Sequence, residues 1–236
     1  MKEILLLHGA LGSKEQFAKL EEALSVNFKV HTLNFSGHGR RPSHHHSFTI
    51  QNFAHEVLDW MNEHYIKTID VFGYSMGGYV ALWLARFYPD RIEKVFTLGT
   101  KLRWNTEEAE KEINLLNPEK VFEKVPAFAQ ALAETHGEHE WKSVMSKTAA
   151  LMKDLGHTHL TEQDFAAIQQ PVLLGLGEKD NMVTQEETDY AHRLLKNSQM
   201  KIFTGVQHPI EKIPVPLLSA EITSFFKQPT PPAQQF

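Results

Sequence analysis

One serine sits between small residues in Gly73-Tyr74-Ser75-Met76-Gly77, with Gly78 following. The apolar run Ile69–Gly73 precedes it, and the helical pattern GGYVALWLARFYP follows. Gly-x-Ser-x-Gly in this strand–turn–helix setting exposes the hydroxyl at the carboxyl end of a strand. The turn is sharp enough that side chains at positions 73, 77 and 78 would meet the following helix and the adjacent strand. The helix N-terminus beneath Ser75 favours negative charge developing there. A serine hydroxyl becomes a useful nucleophile only when a base takes its proton, and the base needs an acid that fixes its tautomer. Asp180 follows the apolar run of LLGLGEKDNMV, and His208 follows that of KIFTGVQHPIEKIP. The interval between them leaves room for one helix and one strand, so both are expected at the sheet edge where Ser75 emerges. Glu178 is the nearest rival acid, but it lies earlier in its loop.

Acyl chemistry also needs donors for an oxyanion. The first apolar run ends in LLLHGALGS, a glycine turn whose backbone N–H groups can face the site. The expected donors are the N–H groups of Ala10 and of Met76, the residue after the nucleophile. His8 reads as a structural histidine bonded to nearby backbone. Leu11, Tyr74, Tyr79 and Met182 flank these positions and are the expected substrate contacts.

The elements that must position these residues alternate in type. EILLLHG, KVHTLNF, TIDVFGYS, EKVFTLGT, PVLLGLGEKD and MKIFTGVQH are short apolar runs, several apolar on both faces, as suits strands covered on both sides. Amphipathic segments separate them, for example Phe53, Val57, Trp60 and Met61 on one stripe. Such alternation predicts an α/β fold with a mostly parallel sheet of about six strands. From Lys101 to Ala167 the composition is helical and charged, which predicts a helical lid insert over 101–167 within a core formed by 1–100 and 168–227. Residues 228–236, rich in Pro and Gln, have little to bury and are expected to be a disordered tail.

Bulk properties narrow the function classes. The chain has 236 residues, 42% of them hydrophobic, enough for one sizeable core. The absence of cysteine excludes disulfides, cysteine nucleophiles and thiolate metal sites. A net charge of −5 and a pI near 6.3 leave no electrostatic footprint for nucleic acid. The run Ile4–Leu7 is too short for the core of a signal peptide, and no window reaches the length of a membrane span. No membrane partner is expected, and the cytoplasm is the expected compartment.

Taken together, HGALGS, NFSGHGRRP, GYSMGGYVAL, LLGLGEKDNMV and GVQHPIEKIP resemble the α/β-hydrolase fold superfamily over residues 1–227. The resemblance implies that the six runs are the family's third to eighth strands, in spatial order 4-3-5-6-7-8, with a lid after the sixth. It also implies that the family's usual N-terminal hairpin is missing, leaving one sheet edge exposed or paired in a homodimer; monomer and homodimer both stay open. The implied activity is a serine hydrolase that uses no cofactor and no metal. Its substrate is a small carboxylic ester, thioester or related carbonyl compound. Two other readings stay open. One is a carbon–carbon hydrolase, or a lyase resembling the menaquinone-pathway cyclohexene-carboxylate synthase. The other is a ligand-binding protein on a hydrolase scaffold. The synthase family carries an arginine four residues after its nucleophile. Tyr79 stands there in this chain, which favours neutral substrates.

Other signals read more plainly. His38 and His44–His46 suggest metal binding only by composition, and a solvated loop is expected; the family resemblance implies that the GHG turn shapes the pocket rim. Arg40 and Arg41 read as solvated charge, and HGEHE (136–140) as a polar turn between helices. In the insert, Leu115, Leu116, Val121, Phe122, Phe128, Leu132, Trp141, Val144, Met145, Leu151 and Met152 are enough to roof a pocket or simply to pack the insert down.

Overall fold

A computed structural model describes residues 1–43 and 47–229; the His44–His46 run and the tail from 230 to 236 lie outside them. The chain enters through β1 (Glu3–Leu7), α1 (Ala18–Leu24), β2 (Lys29–Leu33) and α2 (Ile50–Glu63). It continues through β3 (Ile69–Tyr74), α3 (Met76–Phe87) and β4 (Ile92–Leu98). Five helices follow: α4 (Thr106–Leu115), α5 (Pro118–Lys124), α6 (Pro126–His136), α7 (Trp141–Thr158) and α8 (Glu162–Ala167). The chain then closes with β5 (Val172–Gly177), α9 (Gln185–Leu194), β6 (Ser198–Phe203) and α10 (Val215–Lys227).

All six strands are parallel, in the order β2-β1-β3-β4-β5-β6. This is the order that the family resemblance implied. β3 and β5 are buried along their whole length, which explains why both runs are apolar without alternation. In β1 the period of two is visible in the packing. Ile4 and Leu6 face a layer built with α1 and α10, while Leu5 and Leu7 face α2, α3 and α9. The stripe Phe53, Val57 and Met61 seats α2 on the second layer, and its first turn is capped by Thr49, whose hydroxyl accepts the Asn52 N–H. Central β1 and β3 therefore carry their carboxyl ends, and the loops that follow, to one edge of a rigid sheet. No helix among the described residues is long and apolar enough to cross a membrane.

One charge in this core is held against its preference. Asp70 on β3 is fully buried, and the Lys2 ammonium lies 2.7 Å from its Oδ2. Among the described residues neither carboxylate oxygen receives a well-directed hydrogen bond. Burial raises the Asp70 pKa to about 6, the opposing pull of Lys2 notwithstanding. Between that value and the unfolded value of 3.8, the native chain binds a proton that the unfolded chain does not. Stability from this group is therefore lost as pH rises through about 6. The shift of about two units corresponds to roughly 3 kcal/mol. Asp70→Asn is expected to raise the unfolding free energy by roughly 1–3 kcal/mol at pH 7.5 and to bring little gain at pH 4.5. Urea melts of both proteins at the two pH values check this.

Candidate active site

Ser75 lies between β3 and α3 with φ 51° and ψ −117°, a left-handed backbone that a residue with a Cβ rarely adopts. The turn is locked from both sides: the Ser75 N–H donates to the Leu98 carbonyl at 2.8 Å, and the Thr100 hydroxyl donates to the Ser75 carbonyl at 2.9 Å. A Cβ at Gly77 would run into the Leu7 carbonyl, and one at Gly73 into the main chain of Gly77 and Gly78. The small neighbours are thus demanded by how closely α3 crosses β1 and β3. The Ser75 hydroxyl makes no hydrogen bond to the described residues. It opens into a cavity of about 370 Å³ that His208 also lines.

Asp180 and His208 come together as the sequence reading expected. The loops after β5 and β6 are fastened by Glu178 N–H to the Phe203 carbonyl (3.0 Å) and Lys179 N–H to the Val206 carbonyl (2.8 Å). His208 Nδ1 lies 2.7 Å from Asp180 Oδ2, and both side chains are nearly dry, 7% and 1% exposed. Asp180 Oδ1 accepts the N–H groups of Met182 and Val183, each at 2.8 Å. Burial pushes the Asp180 carboxyl up, but the His208 hydrogen bond and charge, with the two N–H donors, outweigh it and hold the group below its ordinary value. An ionised carboxylate only accepts, so in the neutral imidazole of His208 the proton sits on Nδ1 and Nε2 keeps a free lone pair. The Tyr74 hydroxyl donates to the His208 carbonyl at 3.2 Å, tying the loop back to β3. Glu178 takes another role: its carboxylate accepts the Gly205 N–H at 2.7 Å and braces the same pair of loops.

The N–H groups of Ala10 and Met76 donate to no acceptor among the described residues, and both residues line the cavity. The Gly9–Ala10 peptide is held through its carbonyl, which accepts from His8 Nδ1 (2.8 Å) and from the Gly12 N–H (3.1 Å). Because the peptide is planar and trans, that grip also aims the Ala10 N–H. His8 Nε2 accepts the Phe35 N–H at 3.2 Å, so the ring is a neutral structural strut, and burial lowers its pKa to about 4.

Leu11, Tyr74, Tyr79 and Met182 all line the cavity, each in its own way. Met182 is 46% exposed and stands at the mouth. Tyr79 contributes its ring, but its hydroxyl oxygen accepts the Leu160 N–H at 2.7 Å. The insert's apolar residues divide into groups. Leu115, Leu116, Phe128, Leu151 and Met152 face the cavity, whereas Val121, Leu132, Trp141 and Met145 form a separate cluster, Val144 joins the main core and Phe122 is exposed. Among the described lining residues the one lysine or arginine is Lys101, surrounded by Glu108 (3.0 Å), Glu112 (3.5 Å) and Glu187 (3.4 Å). Burial alone would push its ammonium down; the carboxylates overcome this and keep it charged and occupied. With Glu112 and Glu211 also on the wall, the cavity has a net negative lining.

Three expectations need correction, two of them only in part. The GHG turn does not shape the rim: His38 is fully buried, stacks on Phe48 and lies outside the cavity lining. Of the arginines, Arg40 is exposed as expected, donating to the Glu134 carbonyl at 3.0 Å, whereas Arg41 is half-buried and pairs with Glu56 at 3.0 Å. HGEHE does form the turn between α6 and α7, with residues 138–140 exposed, but its first residue, His136, ends α6 and is buried. Among the described residues no three His, Asp or Glu side chains gather as a set that could hold a metal ion.

Comparison with known proteins agrees with this fold. Residues 3–153 match the family described as alpha/beta hydrolase fold. A pimeloyl-[acyl-carrier protein] methyl ester esterase of Neisseria meningitidis serogroup C is 26% identical over 229 residues, covering 88% of this chain and 87% of that one. A "Probable alcohol acetyltransferase" of Cyberlindnera fabianii is 30% identical over 101 residues, 41% of this chain. That match spans only 26% of that protein's length. Among solved structures, a thermophilic esterase from Thermogutta terrifontis superposes with a TM-score of 0.79 at 20% identity, covering 96% of this chain and 90% of that one.

Proposed function

We propose that this chain, which belongs to the alpha/beta hydrolase fold family and is a hydrolase of that fold, cleaves small neutral carboxylic esters or thioesters through an acyl-enzyme on Ser75. The observation that carries this reading is the buried His208–Asp180 pair, with a free imidazole lone pair, opening into the same cavity as the strained and unpaired Ser75. Ser75 Oγ attacks the carbonyl carbon while its proton passes to His208 Nε2. The Ala10 and Met76 N–H groups hold the resulting oxyanion. His208 returns the proton to the departing alkoxide or thiolate as the carbon–oxygen or carbon–sulfur bond breaks. Water, deprotonated by His208, then attacks the acyl-enzyme, and the acid leaves with Ser75 restored.

The cavity volume is at the small end of the range for ligand sites, which suits a short or medium acyl group. Its negative lining and committed Lys101 disfavour anionic substrates, and the occupied Tyr79 hydroxyl offers no replacement for an arginine. Both points count against the cyclohexene-carboxylate synthase reading. In this account residues 1–100 and 168–227 form the catalytic core, and 101–167 acts as a lid over Ser75.

The test is a panel of neutral esters and thioesters of graded acyl length, with a dianionic substrate alongside. Turnover is expected for the neutral series and not for the dianion; fast conversion of the dianion alone would overturn the reading. Phe128, which faces the cavity, and Trp141, which does not, separate lining from packing. Phe128→Ala is expected to shift the preferred acyl length with little change on the shortest ester. Trp141→Ala is expected to cost about 3 kcal/mol of stability with the preference unchanged.

A further inference from the structure

His136, the last residue of α6, is 1% exposed and carries no part of the proposed chemistry. Its Nε2 lies 3.0 Å from the Leu11 carbonyl, and its Nδ1 receives the Gly39 N–H at 3.2 Å. A carbonyl accepts and an N–H donates, so a single state satisfies both contacts: neutral, with the proton on Nε2. Burial favours that state. It pushes the pKa down, and the Leu11 carbonyl, which pulls the other way, does not reverse it. The ring thus ties together three segments far apart in sequence: the loop after β1, the loop after β2 and the carboxyl end of α6.

The loop after β1 is the one that presents Ala10. Its Gly9 carbonyl is gripped from one side by His8 and the Gly12 N–H. Its other end is Leu11, held at φ 57°, a left-handed conformation costly for a branched apolar residue. The hydrogen bond that the Leu11 carbonyl accepts comes from His136, and the Leu11 side chain packs against both the main core and the small cluster of the insert. With this tie removed, relaxation of Leu11 would swing the neighbouring Ala10 peptide.

We infer that His136 is a positioning residue for the oxyanion loop: by holding the Leu11 carbonyl it keeps the Ala10 N–H aimed into the cavity, so that docking of α6 and assembly of the oxyanion hole are one event. This rests on the reading of Ala10 as an oxyanion donor. The helical insert then contributes to the rate of the chemical step as well as to the cavity wall.

The experiment compares His136→Ala, His136→Phe and His136→Gln with the wild type. It measures kcat and KM on a short neutral ester, inhibition by a trifluoromethyl ketone that forms an oxyanion on the serine, and melting temperature. A glutamine side-chain amide can accept from Gly39 and donate to Leu11; phenylalanine fills the space and does neither. Loss of a whole oxyanion donor costs about 10²–10³ in kcat, so a misaimed one is expected to cost about 10–100-fold. His136→Ala and His136→Phe are expected to lose that factor in kcat with KM within about threefold. Their affinity for the ketone should fall in parallel. His136→Gln is expected to recover most of the loss. Unchanged kcat in all three variants would overturn the inference. So would a glutamine variant as slow as the phenylalanine variant, since the ring would then matter only for packing. A wild type inert towards every ester would instead bring down the hydrolase reading and, with it, the inference.

Discussion

Ser75→Ala is expected to lower kcat on a short neutral ester by about 10⁴-fold or more while the protein melts at or above the wild-type temperature. The loss is large because, among the described residues that line the cavity with His208, Tyr74 and Tyr79 have their hydroxyls engaged and Ser75 alone offers one without a hydrogen bond. The residual rate comes from the oxyanion donors and from binding, which the substitution leaves in place. Stability is spared for two reasons. Alanine keeps the Cβ, so the cost of φ 51° is neither added nor removed. The hydroxyl makes no hydrogen bond to the described residues, so its loss strands no buried partner. KM is expected to stay within a few-fold, because the cavity wall is untouched. A variant that keeps more than about a tenth of the wild-type kcat would show that another group forms the covalent bond or that none is formed.

Asp180→Asn is expected to cost about 10³–10⁴ in kcat, and Glu178→Gln less than about threefold. The two acids are two residues apart in one loop, yet their surroundings assign them different work. Asp180 accepts from His208 and from two N–H groups of its own loop. An asparagine there presents an NH₂ on one side. If it faces His208, the imidazole must turn its lone pair to Nδ1 and carry its proton on Nε2, where it cannot receive the proton of Ser75. If it faces Met182 and Val183, two donors meet a donor. Among the described residues Glu178 accepts only from the Gly205 N–H, a contact that the glutamine carbonyl oxygen can keep. The kinetic comparison of the two variants decides the acid; a damaging Glu178→Gln beside a mild Asp180→Asn would reverse the assignment.

The features readable in the sequence were those that local chemistry dictates. Strand ends marked by Gly, Asp and His, the glycine-flanked serine and the order of the six apolar runs follow from backbone sterics and burial, which act over a few residues. Tertiary partners were not readable. The contact from His136 to Leu11 spans 125 residues. In sequence His136 stands in HGEHE among charged neighbours, which say nothing of a buried ring. Nor does an amphipathic stripe reveal what it packs on, and so Phe128 and Trp141 looked alike until one proved to face the cavity and the other the insert's own cluster. Tyr79 shows the same limit, since nothing in the elbow motif tells that its hydroxyl is taken by Leu160. Asp70 is another case: an aspartate in an apolar run marks a conflict, but only the fold shows that Lys2 answers it incompletely.

The most direct test of the central claim, that Ser75 forms the covalent intermediate, is reaction with a fluorophosphonate followed by mass spectrometry of the intact chain and of its peptides. One adduct per chain is expected, on the peptide carrying Ser75, formed by the wild type and absent from Ser75→Ala. An adduct on a different serine, or one that persists undiminished in Ser75→Ala, would contradict the account.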